Sequence, residues 1–230
     1  YYVLGEGVWA STDVWPPADA TEQTWFFSGE GVLTDEVQAA DGSQVYDVDF
    51  TATTGELNRW QTQLYGSPVI YGDRAAEDDK LLIFTSEPSP EAFRVVGQPR
   101  VRLFVDTDVE DAAFFAYLEV VDPKGVVTYV TEGKLRALHR RRTESAVGQG
   151  RLHSYLEADA QPLELDGFNE VEFVLQPVAV GVPAGHRVRV ALAGHDAGSF
   201  ERIPAEGSVR WAVGQGPTTP SSIVLPIVSQ

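Results

Sequence analysis

An all-β sandwich is the architecture this sequence predicts, and three observations predict it. Short runs alternate apolar and polar residues with the period of a half-buried strand. Gly-, Pro- and Asp-bearing turns separate those runs at short intervals. No window of a dozen residues repeats its apolar positions every 3.6 residues, so long amphipathic helices are not expected. The 230 residues suffice for one large domain with a hydrophobic core.

In chain order, Tyr46-Asp47-Val48-Asp49-Phe50 is the first clear alternating segment. Arg100 to Leu103, Val171 to Phe173, Arg187 to Val190 and Ser208 to Val213 repeat the pattern. Leu81-Leu82-Ile83-Phe84 and Ile223-Val224-Leu225 are continuous apolar runs, and Phe114 to Val121 is the most apolar of all. Such runs predict central strands. Asp122-Pro123-Lys124-Gly125 should connect a hairpin to Val126–Thr131, because Pro fixes φ and Gly accepts positive φ. Pro183-Ala184-Gly185-His186, Asp41-Gly42 and Gly66-Ser67-Pro68 mark further turns. Short helical turns fit Ala75 to Asp79 and the Pro-rich stretch after Trp15. The first 70 residues are less regular and read as a wrapping region on one domain spanning 1–230. This many strands makes a jelly roll the natural form.

Thirty-four acidic residues against seventeen basic ones give a formal charge of -17. Such a surface repels phosphate backbones and anionic lipid, so neither nucleic acid nor membrane is an expected partner. The basic run His139-Arg140-Arg141-Arg142 reads as a salt-bridged surface. The chain has no Cys, which excludes disulfides and thiolate metal sites and leaves the compartment undecided, cytoplasmic or secreted. It has no Met and opens Tyr1-Tyr2, so a preceding segment is expected.

The search for chemistry is mostly negative. A nucleophile elbow, G-x-S-x-G, is absent, as is a βαβ layout to hold one. The histidines His139, His153, His186 and His195 form no H-E-x-x-H motif. Asp106 to Asp111 lacks the glycine of an EF-hand loop and reads as a solvated acidic turn. No metal or cofactor is expected. Two candidates remain. Asn58, Arg59 and Trp60 break the strand pattern with residue types that anchor interfaces or line pockets; the alternative is a core-packed Trp60 with Arg59 stacked over it. His195 and Asp196 follow a strand within a glycine-flanked loop, where binding residues concentrate; the alternative is a structural pair.

Several stretches together resemble the C-terminal domain of the Xaa-Pro dipeptidyl-peptidase and CocE/NonD family of serine hydrolases. They are Tyr2 to Trp9 with Trp15-Pro16-Pro17, Leu82 to Pro88, Val101 to Val105, Thr131-Glu132-Gly133-Lys134-Leu135-Arg136-Ala137, Ala184 to Val190 and Pro220 to Pro226. The resemblance implies a galactose-binding-like jelly roll without catalytic residues. It implies a catalytic α/β-hydrolase domain upstream in the same polypeptide, on which the sandwich packs. It also implies a loop that helps wall the substrate pocket, here Thr54 to Trp60. Ala193-Gly194-His195-Asp196 departs from the family's usual strand end. Apolar surface left by a missing partner would favour self-association. The competing function is an independent carbohydrate-binding module with Trp9, Trp15 and Trp25 as stacking platforms at loop tips.

Overall fold

The computed structural model describes residues 1–66, 68–144 and 151–229. The strands are β1 (Tyr2–Val3), β2 (Val8–Trp9), β3 (Thr21–Ser28), β4 (Val32–Thr34), β5 (Gly42–Asp47), β6 (Leu82–Ser86), β7 (Phe93–Gly97), β8 (Arg100–Thr107) and β9 (Ala113–Val121). They continue as β10 (Val127–Arg136), β11 (Arg142–Glu144), β12 (Arg151–His153), β13 (Asn169–Val174), β14 (Val178–Val182), β15 (Arg187–Ala193), β16 (Arg210–Gln215) and β17 (Ser222–Ser229). Two short helices, α1 (Arg59–Tyr65) and α2 (Ala75–Asp78), lie between β5 and β6.

Two layers face each other. One runs β10-β9-β15-β6. In the other, β17 pairs with β3 on one edge and shares its second edge between β8 and β7. The β16-β5 pair extends from β8, and β13 and β14 flank β8 and β7. Short β4 joins the layers, antiparallel to β3 and parallel to β6. The core between them holds Phe84, Phe114, Leu118, Val190 and Leu192 from the first layer and Leu103, Val171, Trp211, Ile223 and Leu225 from the second, in one buried cluster. Sheets packed face to face with inward side chains interdigitated make a β-sandwich.

Alternation located β8, β13 and β15 closely, and β16 begins two residues later than the pattern suggested. The hairpin at Asp122 forms as expected: Asp122 Oδ1 accepts the backbone N–H groups of Lys124 at 2.8 Å and Val126 at 2.9 Å. The segment at 46–50 is displaced, since β5 starts at Gly42 and stops at Asp47. Asp49 ends it by accepting from Thr51 N (2.8 Å) and Thr51 Oγ1 (2.7 Å), a side-chain turn that competes with the ladder. After Trp15 there is no helix but a single turn, Ala20 N to Pro17 O at 2.9 Å, because prolines at 16 and 17 bring no N–H donors. The helix at Ala75 is present. The turn expected at Gly66-Ser67-Pro68 falls on a position outside the described residues. Within the first 70 residues, β3 and β5 belong to the large sheet, and the segment after Asp47 does the wrapping.

The apolar strand β9 is buried on both faces. Phe114, Ala116 and Leu118 enter the core. Ala113, Phe115 and Tyr117 point outward into a second cluster with Tyr129, Ala191 and Ala193, packed by Tyr71, Ile83, Phe200 and Ile203. Residues 50–66, 68–81 and 195–204 form this cover.

Candidate functional site

Register decides what the cover meets. On β9 the outward residues are Phe115, Tyr117 and Glu119. Opposite them on β10 stand Lys134, Glu132 and Tyr129, and on β15 stand Ala193, Ala191 and Arg189. A bulge at Val130 lets Tyr129 and Glu132, three residues apart, share a face. Gly133 lies between the two charged residues with its Cα against the backbone of Val174 and Leu175; a Cβ there would sit 2.9 Å from Leu175 Cα.

Asn58 starts α1 rather than sitting in a loop. Its Oδ1 accepts from Trp60 N at 3.0 Å and Gln61 N at 2.9 Å, the pattern of an N-cap. Its Nδ2 donates to Thr54 Oγ1 (2.9 Å), Gly55 O (2.7 Å) and Ser199 Oγ (2.6 Å). The side chain is fully enclosed, so Asn58 shapes the site from behind and offers nothing outward. The expected Thr54–Trp60 loop therefore ends in a capped helix start at Asn58.

Asp196 joins the same lattice. Buried after β15, it accepts from Thr54 N at 2.8 Å and from Thr54 Oγ1 at 2.7 Å. Asn58, Thr54 and Asp196 thus form one hydrogen-bonded chain, which brings residues of both sequence candidates together. His195 is outside it. Its ring lies 5.6 Å from that of Phe50, its Nδ1 has no partner among the described residues, and burial holds its pKa below the usual imidazole range.

Trp60 is half-buried. Its Nε1 donates a short hydrogen bond to Glu132, and its ring meets Phe200 edge-on at 5.5 Å. Lys134, not Arg59, lies over the indole, with Nζ 3.2 Å from the ring centroid, 4.3 Å from that of Phe200 and 3.6 Å from Glu132 Oε1. Burial pushes its pKa down to about 8 against the pull of Glu132. Arg59 faces Tyr129 at 5.9 Å, and Tyr129 stacks on Tyr71 at 3.8 Å. Among the described residues, no carboxylate forms an ion pair with Arg59. The Tyr129 hydroxyl and Glu132 Oε2 are buried with no hydrogen-bond partner among the described residues.

Deeper under the cover lies an ionic group that sequence reading missed. Arg74 Nε donates to Glu119 Oε1 at 3.1 Å, and Arg189 Nη1 donates to Asp78 Oδ2 at 2.6 Å. Glu119 and Asp78 are almost wholly buried. Among the described residues, the remaining oxygens, Glu119 Oε2 and Asp78 Oδ1, have no donor. Burial, reinforced by the Asp78 carboxylate, pushes the Glu119 pKa up to about 8, so a proton held on Glu119 has the Asp78 carboxylate as its acceptor. Lone charged residues among apolar neighbours, as in Tyr117-Leu118-Glu119-Val120, are the signal that would have found this group.

The remaining charged and aromatic candidates resolve simply. Arg141 pairs with Asp159 at 2.8 Å and Arg142 with Glu170 at 2.9 Å, so the basic run is a salt-bridged surface. Asp111 of the acidic turn pairs with Arg136 at 2.8 Å. Trp25 is not at a loop tip. It is half-buried within β3, its ring edge-on to Phe93 at 6.3 Å, so the three tryptophans are not a set of exposed platforms.

Fold and site define a β-sandwich domain whose cover is locked onto the sheet by buried polar groups. The chain belongs to the X-Pro dipeptidyl-peptidase C-terminal non-catalytic domain family, whose profile matches residues 1–218. Relatives from Mycobacterium bovis and Mycobacterium tuberculosis, both described as candidate serine esterases, are 40% identical over 209 residues. That alignment covers 89% of this chain and 33% of theirs, so the chain spans about a third of the length of these curated relatives. Among solved structures, an aminopeptidase from a marine sediment archaeon, Thaumarchaeota archaeon, superposes with TM-score 0.79 at 21% identity, over 99% of this chain and 40% of that one. An α-amino acid ester hydrolase gives 0.78 at 20% identity, over 98% and 40%. A CocE/NonD family hydrolase from Staphylococcus aureus gives 0.73 at 17%, over 99% and 40%. These three share the fold.

Proposed function

We propose that this chain, as one sandwich domain, follows a catalytic α/β-hydrolase domain in a longer serine hydrolase and packs on it through the surface around α1. There it helps wall the pocket for an ester or Xaa-Pro substrate. The observation that carries this reading is the outer surface beside Arg59. Leu57, Val69 and Ile70 are 41%, 50% and 55% exposed, and Ile70 N donates to Leu57 O at 2.9 Å, which holds two of them together. An apolar group flanking an unpaired guanidinium suits a partner that supplies apolar contact and a carboxylate. Arg59, half-buried with its guanidinium toward Tyr129, is the residue of the Asn58-Arg59-Trp60 set whose charge no carboxylate among the described residues takes up. Asn58 and Trp60 act through it by fixing the helix.

The test uses the full-length enzyme. Arg59→Ala, and separately Leu57→Ser with Ile70→Ser, should raise KM or shift preference among p-nitrophenyl esters and Xaa-Pro amides while the unfolding of the sandwich stays unchanged. The 230-residue chain alone should hydrolyse neither. Unaltered kinetics on every substrate in both variants would refute the reading.

A further inference from the structure

We infer that the cleft at the seam between the two layers, where β4 joins them, is a binding site for a small apolar amine. The cleft has a volume of about 460 Å³, within the range of sites that enclose small organic ligands. Its floor is apolar and comes from both layers and their link: Val188 of β15, Ile227 of β17 and Leu33 of β4, all buried. One wall is the edge-on pair Trp25 and Phe93. The facing wall is the β6–β7 connection with Pro88 and Pro90.

That wall is built in advance. Ser89 N donates to His186 O at 2.8 Å and Gly185 N donates to Ser89 O at 2.8 Å, which tie the connection to the β14–β15 turn. Ser89 Oγ donates to Glu91 O at 2.6 Å. With two prolines as well, the connection has little freedom to lose when a ligand enters.

The lining carries one sign of charge. Asp35, Glu87 and Glu91 contribute carboxylates, and no Lys or Arg lines the cleft. Glu87 has a distant partner in Arg187 at 3.6 Å. Among the described residues, Asp35 and Glu91 have no ion-pair partner, and both are exposed. An apolar floor with an aromatic wall selects a hydrocarbon or aryl body. Carboxylates and an indole face select a cationic head. A single organic cation with an aryl or alkyl body satisfies both, whereas a neutral sugar leaves the charge unused. None of the residues of the covered face contributes, so this site is independent of the role proposed for the α1 surface.

The experiment is calorimetric titration of the full chain with 2-phenylethylamine and with its neutral counterpart 2-phenylethanol, alongside galactose. Two or three solvent-screened charge contacts should make the amine bind about tenfold more tightly than the alcohol, and 0.5 M salt should narrow the gap. Asp35→Asn combined with Glu91→Gln, both at exposed positions that leave the core intact, should bring the amine to the level of the alcohol. Trp25→Leu should weaken both. Equal affinity for amine and alcohol overturns the inference. So does amine binding that survives the double carboxylate variant, or a preference for galactose.

Discussion

Replacing Glu119 by Gln should flatten the pH dependence of stability between about pH 5 and 8. In the folded chain Glu119 holds its proton up to about 8, against an ordinary value of 4.5. The folded state therefore carries a proton that the unfolded chain has already released across this window. Stability must fall as pH rises through it and level off above about 8. At about 1.4 kcal/mol per unit, a shift from 4.5 to about 8 sets a ceiling of about 5 kcal/mol. The expected loss is up to a few kcal/mol. Glutamine keeps the geometry without the titration: its Oε1 accepts from Arg74 and its Nε2 donates to Asp78 Oδ1. Urea unfolding of wild type and Glu119→Gln at unit pH steps from 5 to 9 reads the difference. The variant should lose at least about 2 kcal/mol less than wild type across the window. Parallel curves, agreeing within about 0.5 kcal/mol at every pH, would show that Glu119 is ionised throughout and that no proton is shared.

Three further outcomes follow from the same packing. Asn58→Ala should cost about 2–4 kcal/mol, because it removes a helix cap and leaves buried acceptors without donors. Asn58→Asp should not restore it, since the cap returns but the donors to Thr54, Gly55 and Ser199 do not; chemical denaturation of both variants decides. Gly133→Ala should abolish the fold or lower Tm by more than 10 °C, roughly 3 kcal/mol or more, because the new Cβ meets Val174 and Leu175 backbone rather than a movable side chain. Trp60→Phe should cost about 1–3 kcal/mol by withdrawing the donor from buried Glu132, and thermal unfolding should show it without any change in sheet content.

The strands were legible because one face of each meets the core and the other meets water, which leaves an alternating record in β8, β13 and β15. The same physics hid the cover. Where β9 is buried on both sides the record becomes a plain apolar run, which says "central strand" without naming what lies outside. Helix α1 is seven residues long, too short for periodicity to register. Its ends were nonetheless written: Asn58 at the cap, and Gly66 eight residues on, which takes the left-handed conformation with φ +68°. The pairing of Asn58 with Asp196 through Thr54 was not legible, because the residues are 142 and four positions apart from Thr54 and only the folded sheet brings the three together. Arg59 and Trp60 were picked out by residue type, which could not say that Lys134 would take the place over the indole.

The bulge at Val130 has a consequence for how β10 tolerates change in length. Beyond it, every residue is out of step by one with the residues before it. Deleting Val130 would remove the extra residue and let Tyr129, Thr131 and Glu132 pair one to one with Glu119, Leu118 and Tyr117, so both halves keep their faces and only the Val130 side chain leaves the core. A residue lost elsewhere in β10 has no such slack: with Gly133 deleted and the first half in place, Lys134 would turn into the hydrocarbon interior and Leu135 out of it. If the second half kept its place, Glu132 would turn inward and leave its hydrogen bond from Trp60. Away from the bulge a one-residue loss acts as a phase error that no single substitution in the strand can repair, so a change in the length of β10 should be tolerated at Val130 and excluded elsewhere in the strand.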